Sequence, residues 1–325
     1  MPTGGTALYR RLQQVKNRVL KKRRRNLEFE GSQLIDTAMD LQPGARTLVQ
    51  PQVEEFGQAI VQSPDASDFR MVEVTASEQE FRIFMVGAAY GVTWGETNAQ
   101  QFARGHGQQY NISDIKMEAT QRVIREKANS LNAFGDTCLG VTGALNNASA
   151  TLTNSSFDPF NASNTSETIA EWFLGEAGDI AASTNNVEYP TKAGISTELW
   201  TLFTSKKMTD TGETILSYIL RTQREAAAGN QAAIQDIFRL VECRSSILES
   251  NGVQAGGTNK DRIWLYPKFP EVIEKHMLSG AIRLFPEEWA GQYAGKKVYP
   301  MYTCLSEVII NFPGAIRYLD HPKKA

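Results

Sequence analysis

The chain has 325 residues, of which 34 are basic and 36 acidic, so its formal net charge is −2. This length allows one large domain or roughly two of average size. The hydrophobic share of 41% is ordinary for a globular protein. No stretch approaches the ~20 consecutive apolar residues of a membrane span, so no membrane partner is predicted.

Positive charge is concentrated at the start of the chain, before the first carboxylate at Glu28. This segment holds nine of the 34 basic residues, so 25 remain against 36 acidic ones, a body of net charge −11. The nine are Arg10, Arg11, Lys16, Arg18, Lys21, Lys22, Arg23, Arg24 and Arg25. Such asymmetry indicates a polyanionic partner or an acidic surface on a sister subunit, and these nine are the candidate contact residues.

The same segment has helical periodicity. Its apolar residues Leu8, Leu12, Val15 and Val19 fall on one stripe, which predicts an amphipathic helix from about residue 6 to 25. Three interpretations remain open. The helix docks on its own body or on a neighbour, contacts nucleic acid or another polyanion, or binds a membrane surface.

Residues 39–69 predict a different structure. Turn signals at Pro43, Pro51 and Pro64 interrupt short apolar alternations, and nothing in this stretch is long enough to build a core. A long excursion of this kind is unusual inside a compact domain. We therefore expect the first seventy or so residues to gain their order by lying on sister copies.

Further along, strands and helices alternate without a regular βαβ rhythm, which predicts an α+β fold. Apolar spacing and end signals predict a long helix over 113–134, closed by Gly135. Helices are also predicted over about 169–181, 211–228 and 231–241, with a short one begun by Pro270. Strands are predicted over 81–86, 262–267, 297–305 and 307–312.

No pattern of residues points to an enzyme. The histidines His106, His276 and His321 lack the spacing of a zinc site, and no glycine-rich phosphate loop or nucleophile elbow is present. Cys138 has no catalytic signature and reads as a small core hydrophobe. No catalytic residue, metal site or cofactor is predicted, and the weight shifts to a structural or binding protein.

The order of several segments is that of a known family. The basic arm is followed by "GAAYGVTWGE", a helix with "KMEATQRVIREKANSLNAFGD", and "GVTGALNNAS". "DRIWLYPKFPEVIEKHML", "RLFPEEWAG" and "VIINFPGAIRYLD" follow near the end. This series resembles tailed-phage major capsid proteins of the Hong Kong 97 type, in a subgroup formerly classed as a domain of unknown function.

The resemblance implies a division of the chain. It comprises a basic N-terminal arm (1–38), an extended inter-subunit loop (39–75), a peripheral domain (76–180) with the spine helix 113–134, an axial domain (181–295) and C-terminal strands returning to the core (296–325). It also implies that the chain is a shell protein rather than an enzyme. Copies of such a protein assemble in pentamers and hexamers into an icosahedral capsid.

The implied partners are sister copies and packaged double-stranded DNA, bound without sequence preference. Scaffolding, cementing and portal proteins are further candidates. The implied location is the virion capsid, assembled in the host cytoplasm. Two alternatives stay open at this point: an encapsulin-like bacterial compartment, which shares the fold but encloses protein, and a non-capsid DNA-binding protein with a basic arm.

Overall fold

A computed structural model describes residues 24–56, 73–105, 111–226, 233–253, 257–279, 282–285, 292–293 and 296–324. The predicted arm helix over 6–25 lies almost wholly outside these residues. The chain divides into two compact units. Unit 1 consists of residues 1–27, 87–124 and 283–302, and unit 2 of residues 28–86, 125–282 and 303–325.

Both helices and strands are abundant, as predicted. The helices are α1 (Trp94–Gly105), α2 (Ile112–Phe134), α3 (Ser166–Ser183), α4 (Thr197–Ser205), α5 (Ile215–Ala226) and α6 (Ser245–Ser250). The strands up to residue 200 are β1 (Asp36–Leu41), β2 (Thr47–Phe56), β3 (Glu73–Thr93), β4 (Gly135–Asp136), β5 (Val141–Thr142), β6 (Thr151–Asn154) and β7 (Lys192–Ile195). The later strands are β8 (Asp236–Arg239), β9 (Lys260–Tyr266), β10 (Ile273–Leu278), β11 (Arg283–Leu284), β12 (Gln292–Tyr293), β13 (Lys296–Ser306), β14 (Ile309–Ile310) and β15 (Arg317–Pro322).

The centre of unit 2 is a five-stranded sheet in the order β6-β15-β9-β7-β8. Strand β9 is buried on both faces, because alternate side chains of a strand point to opposite sides of the sheet. Ile263 and Leu265 enter one hydrophobic core, while Trp264 and Tyr266 enter another. The sheet is therefore sandwiched between two cores, which explains the uninterrupted apolar run of this strand.

One of these cores, the sheet–helix core, is made with α3, α4 and α5. Ile169, Phe173, Leu199, Phe203 and Ile219 are buried in it. The helix ends are set locally, since Thr165 caps α3 and Ser196 caps α4 with side-chain oxygens that accept backbone N–H groups. The sequence predicted α3 and α5 but not α4.

The other core, the root core, lies on the opposite face of the sheet. It contains the stacked rings of Trp264 and Tyr266, whose centroids are 3.7 Å apart. Residues from the ends of the described chain meet here, including Phe29 and Tyr318. Strand β1 also belongs to unit 2 and pairs in parallel with β10.

Unit 1 is built on the last third of β3, on α1, on the first half of α2 and on most of β13. Thr93 and Glu96 form a capping box at the start of α1, in which each side chain accepts the backbone N–H of the other residue. Lys116 Nζ of α2 donates to Glu96 Oε1 at 2.6 Å and to the Gly91 carbonyl at 2.7 Å. The Lys116 hydrogen bond is the main reason why the pKa of Glu96 is lowered to about 2.

Helix α2 confirms the predicted helix over 113–134. Its first turn is capped by the Asn111 side chain, which accepts the Ser113 N–H, rather than by Ser113 or Asp114. Gly135 ends it with φ 74°, a left-handed conformation that favours glycine. A Cβ atom there would lie 2.1 Å from the Val141 carbonyl oxygen, so the strand pair β4–β5 requires glycine.

Three expectations from the sequence are wrong. The predicted helix over 231–241 is strand β8 in its described part, because Ile237 and Phe238 pack on opposite faces of the sheet. The helix expected after Pro270 is strand β10, whose pairing with β1 overrides the local signal. Cys138, expected in a core, is exposed in a turn, whereas Cys243 and Cys304 are buried.

A buried ion pair links β9 to β15. Arg262 Nε donates to Asp320 Oδ1 at 2.8 Å, and Arg262 Nη2 donates to Asp320 Oδ2 at 2.9 Å. Both side chains are almost completely inaccessible to solvent. Arg262 also donates to the Leu145 carbonyl at 2.5 Å, and its guanidinium lies over the Tyr318 ring.

Replacing Asp320 by Ala should lower the free energy of unfolding by about 3–5 kcal/mol, because a buried guanidinium then loses its counter-charge. Denaturant unfolding of the unassembled chain measures this effect. The matched control is Asp236→Ala, which removes the exposed partner of Lys192 at 2.8 Å and should change stability by less than about 1 kcal/mol. Equal losses in the two variants would contradict the assigned role of the buried pair.

His321 predicts a pH dependence of stability. Burial lowers the pKa of its ring below the ordinary 6.5, so the folded protein favours the neutral imidazole. The unfolded chain binds the proton first as the pH falls. Stability is therefore present above pH 6.5 and is lost as the pH falls from there towards the folded pKa. The variant His321→Asn should lack this contribution. Unfolding measured between pH 7.5 and 5 should therefore show that the difference in stability between the native chain and the variant becomes smaller as the pH falls.

Candidate assembly surfaces

Among the residues that the structure describes, no group of three or more His, Cys, Asp or Glu side chains could hold a metal ion. None of the helices in the described segments is long and apolar enough to cross a bilayer. The features that stand out are instead two surfaces, the root of the N-terminal arm and a two-stranded ribbon.

The arm root consists of residues 28–35, directly after the basic segment. Phe29 is fully buried and its ring stacks on Trp264 with centroids 5.7 Å apart. The Phe29 N–H donates to Asn129 Oδ1 at 2.9 Å, and the Phe29 carbonyl accepts from Asn132 Nδ2 at 3.0 Å. Both asparagines lie on α2 and are themselves buried. The chain is thus held to its own body from Phe29 onwards.

This finding corrects, for residues 28–41, the expectation that the first seventy or so residues gain their order by lying on sister copies. Phe29, Leu34 and Ile35 are fully buried in the root core, and Leu41 is buried at the end of β1. The sequence did not predict their burial, because these apolar residues are separated by polar ones and show neither a helical nor a strand period. Only the tertiary contacts with α2 and β9 identify them.

The ribbon comprises residues 49–56 of β2 and 73–80 of β3, which are paired antiparallel from Val49 opposite Glu80 to Phe56 opposite Glu73. Every residue from 73 to 80 is exposed. An isolated two-stranded ribbon is at best marginally stable in water. The ribbon therefore has the character of a segment that another molecule covers.

One face of the ribbon carries a row of apolar residues. Directly opposite residues of an antiparallel pair share a face. This places Val49, Pro51, Val53, Val74 and Ala76 together. Val53 is 62% and Val74 61% exposed, and they lie next to each other in one row with Val49, so the apolar surface is contiguous rather than scattered. We call this the valine face.

The ribbon is also acidic. It contains five glutamates and no lysine or arginine: Glu54, Glu55, Glu73, Glu78 and Glu80. Of these, Glu55, Glu78 and Glu80 belong to the valine face by register. The charge asymmetry extends to the units. Of the 34 basic and 36 acidic residues, unit 1 holds 15 basic and 5 acidic ones. Unit 2 holds the remaining 19 basic and 31 acidic residues.

The nine candidate contact residues are only partly described. Arg24 and Arg25 are exposed, and the Arg25 carbonyl accepts from Arg122 Nη2 at 2.5 Å. The other seven lie before the described residues, so their assignment as contact residues stays a prediction.

A comparison of the sequence with protein families identifies the family of the chain. The family described as "Major capsid protein" matches residues 57–321, most of the chain. The chain belongs to this family. No curated protein matches the chain.

Solved structures agree with this assignment. A chain from the capsid of Myoviridae phage XM1 is similar over 96% of this chain and 97% of its own, with a TM-score of 0.74 and 13% identity. A chain from Gordonia phage Cozz is similar over 99% of this chain and 95% of its own, with a TM-score of 0.61 and 10% identity. A chain from Mycobacterium phage Adephagia is similar over 99% of this chain and 99% of its own, with a TM-score of 0.60 and 10% identity.

The expected Hong Kong 97 type fold is therefore confirmed, and so is the expected α+β class. This major capsid protein is a structural protein, not an enzyme, and copies of it form the shell of a virion. The family match favours a phage capsid over the encapsulin-like compartment and over a DNA-binding protein outside a capsid.

Phe29→Ala should lower the free energy of unfolding by about 3–5 kcal/mol, because it opens a cavity against Trp264 in a fully buried site. The control is Phe312→Ala, at a side chain that is 55% exposed, and it should change stability by less than a third as much. Denaturant unfolding of both variants checks the result. A loss no larger than that of the control would show that the arm root is not part of the core.

Proposed function

We propose that this capsid protein assembles, as pentamers and hexamers, into a closed icosahedral shell around double-stranded DNA. The observation that supports the proposal best is the ribbon, which exposes apolar and acidic side chains together on one face. A contact of this face with a different surface on the next copy is heterologous, and heterologous contacts close into rings when the rotation allows it. Many modest contacts of this type give a shell its avidity.

The basic arm fits the ribbon of a sister copy in two respects. Its nine positive charges complement five glutamates that have no cation among them in the ribbon. Its predicted apolar stripe of Leu8, Leu12, Val15 and Val19 matches the valine face in chemistry. We therefore favour contact with a neighbouring subunit as the role of the nine basic residues.

The second candidate partner of the arm is the packaged DNA. Contacts between lysine or arginine and phosphate carry no sequence information, which suits a wall around arbitrary DNA. The acidic balance of unit 2, 19 basic against 31 acidic residues, would limit adhesion of that part to nucleic acid. Scaffolding, cementing and portal proteins remain proposed partners, and the host cytoplasm the proposed place of assembly.

The proposed division of the chain follows the family: arm 1–38, inter-subunit loop 39–75, peripheral domain 76–180, axial domain 181–295 and C-terminal strands 296–325. The ribbon falls in the proposed loop and at the start of the proposed peripheral domain. Most residues of the sheet–helix core fall in the proposed axial domain, whereas those of α3 fall in the proposed peripheral domain.

Deleting residues 1–23, which leaves the arm root intact, should abolish closed shells or yield misshapen ones. The triple variant Glu55→Gln, Glu78→Gln, Glu80→Gln should do the same, because it removes the charge of the valine face without touching a buried residue. Electron microscopy of the purified particles measures the outcome, and thermal unfolding of the unassembled chain should be unchanged.

The matched control neutralises three exposed acidic residues outside the ribbon: Glu171→Gln, Asp210→Asn and Glu271→Gln. It changes the net charge equally and should assemble. To separate the two partners of the arm, Lys21, Lys22 and Arg23 are changed to Glu, alone and together with Glu55→Lys, Glu78→Lys and Glu80→Lys. If the combined variant forms closed shells again, the arm contacts the ribbon. If the combined variant forms no closed shells while the ribbon variants assemble normally, the result points to DNA as the partner of the arm. Normal shells from the arm-less chain would overturn the proposed role of the arm in assembly.

A further inference from the structure

A buried ammonium group holds the arm root. Lys275, on β10, is 1% exposed. Its Nζ donates to three successive carbonyl oxygens, those of Phe29 at 2.6 Å, Glu30 at 3.1 Å and Gly31 at 3.2 Å. An ammonium group has three N–H donors, and here each has an acceptor. Without this cation, the three carbonyls would lose a charged donor in a site that solvent barely reaches.

The three carbonyls lie where the basic segment meets the body. Residues 24–26 are exposed, and Phe29 is the first fully buried residue of the described chain. The contacts that follow hold the rest of the root: Lys268 Nζ donates to the Ser32 carbonyl at 2.5 Å, and Tyr266 Oη to the Leu34 carbonyl at 2.7 Å. Lys275 is thus the most buried cation of a set that fixes the backbone of this segment.

We propose that Lys275 is a positioning residue for shell assembly, because its ammonium group closes the turn at residues 29–31 and so fixes the point at which the basic arm leaves the body. An arm that starts from a fixed point loses less conformational entropy when it reaches a sister copy, and this favours binding. The inference about assembly rests on the proposed function of the arm, but the clamp on the root does not.

The charge of Lys275 also depends on pH. Burial lowers its pKa to about 8, and the carboxylate of Glu30 opposes this shift. The other titratable groups around the root are Glu28, whose pKa is raised by burial and by Glu242, and Arg125, which pairs with Glu30 at 3.0 Å. From β1, Asp36 faces Lys268 at 3.2 Å. A neutral amine still keeps two N–H donors for the three carbonyls. Opening of the root returns the pKa towards the ordinary 10.5, so the open root binds the proton more tightly and the closed root gains stability as the pH rises above about 8.

The first experiment measures opening of the root in the unassembled full-length chain. A protease that cuts after aromatic residues can cleave after Phe29 only when this side chain leaves the core. Cleavage is followed at pH 7 and pH 9.5, and each rate is divided by that of a free peptide with the sequence of residues 24–36, which removes the pH dependence of the protease.

With a pKa of about 8, the neutral fraction of Lys275 rises from roughly one tenth at pH 7 to nearly all at pH 9.5. Because the open root binds the proton more tightly, the normalised cleavage rate should fall at least about tenfold in the native chain between pH 7 and pH 9.5. Lys275→Arg keeps its charge throughout this range and should show less than a twofold change. Lys275→Met should be cleaved rapidly at both pH values. A flat or rising profile in the native chain, or the same fall in Lys275→Arg, would overturn the clamp, and the native profile decides even where a variant fails to fold.

The second experiment concerns assembly. Lys275→Met should give fewer closed shells than the native chain at pH 7. Lys323→Met, at an exposed lysine whose Nζ donates to Asn259 Oδ1 at 2.7 Å, should assemble normally. Normal shells from Lys275→Met whose root is cleaved rapidly would show that the clamp has no role in assembly. Normal shells from the chain without residues 1–23 would instead refute the proposed role of the arm and leave the clamp itself intact.

Discussion

The burial of β9 on both faces is the constraint on which the rest of unit 2 depends. Its alternate side chains require a layer of helices on one side and a second apolar core on the other. The helices α3, α4 and α5 supply the first layer. The second is filled partly by residues far away in sequence, Phe29, Leu34 and Ile35, which bind the start of the folded chain to its centre. A strand buried on both sides therefore determines where the N-terminal arm begins.

The division of labour between the two surfaces follows from this arrangement. The arm root is rigid because buried donors and acceptors are matched: two asparagines of α2 serve the Phe29 backbone, and Lys275 serves three carbonyls. The ribbon is the opposite case, a paired backbone without a core behind it. The arm root therefore contributes stability, and the ribbon exposes apolar surface that a partner can cover. Self-assembly needs both.

The sequence predicted the elements whose signals are local. The helix 113–134 has a long period near 3.6 and a glycine stop, and the strand at β9 is a bounded apolar run. It did not predict β8 and β10, where short apolar stretches fit either helix or strand and only pairing with β7 and β1 decides. It gave no sign of the arm root, since single apolar residues separated by polar ones have no period. The charge of the arm was evident from the sequence, whereas the acidic ribbon became visible only once the register showed which glutamates share a face with the valines.

The register of the ribbon has a genetic consequence. Side chains alternate strictly, so the insertion or loss of one residue within 49–56 would exchange the two faces beyond that point and turn the valines away from their partner surface. In a monomeric protein such a slip on an exposed strand would be nearly silent. In a container made of identical parts the error recurs at every position, so this short stretch should tolerate changes of residue far better than changes of length.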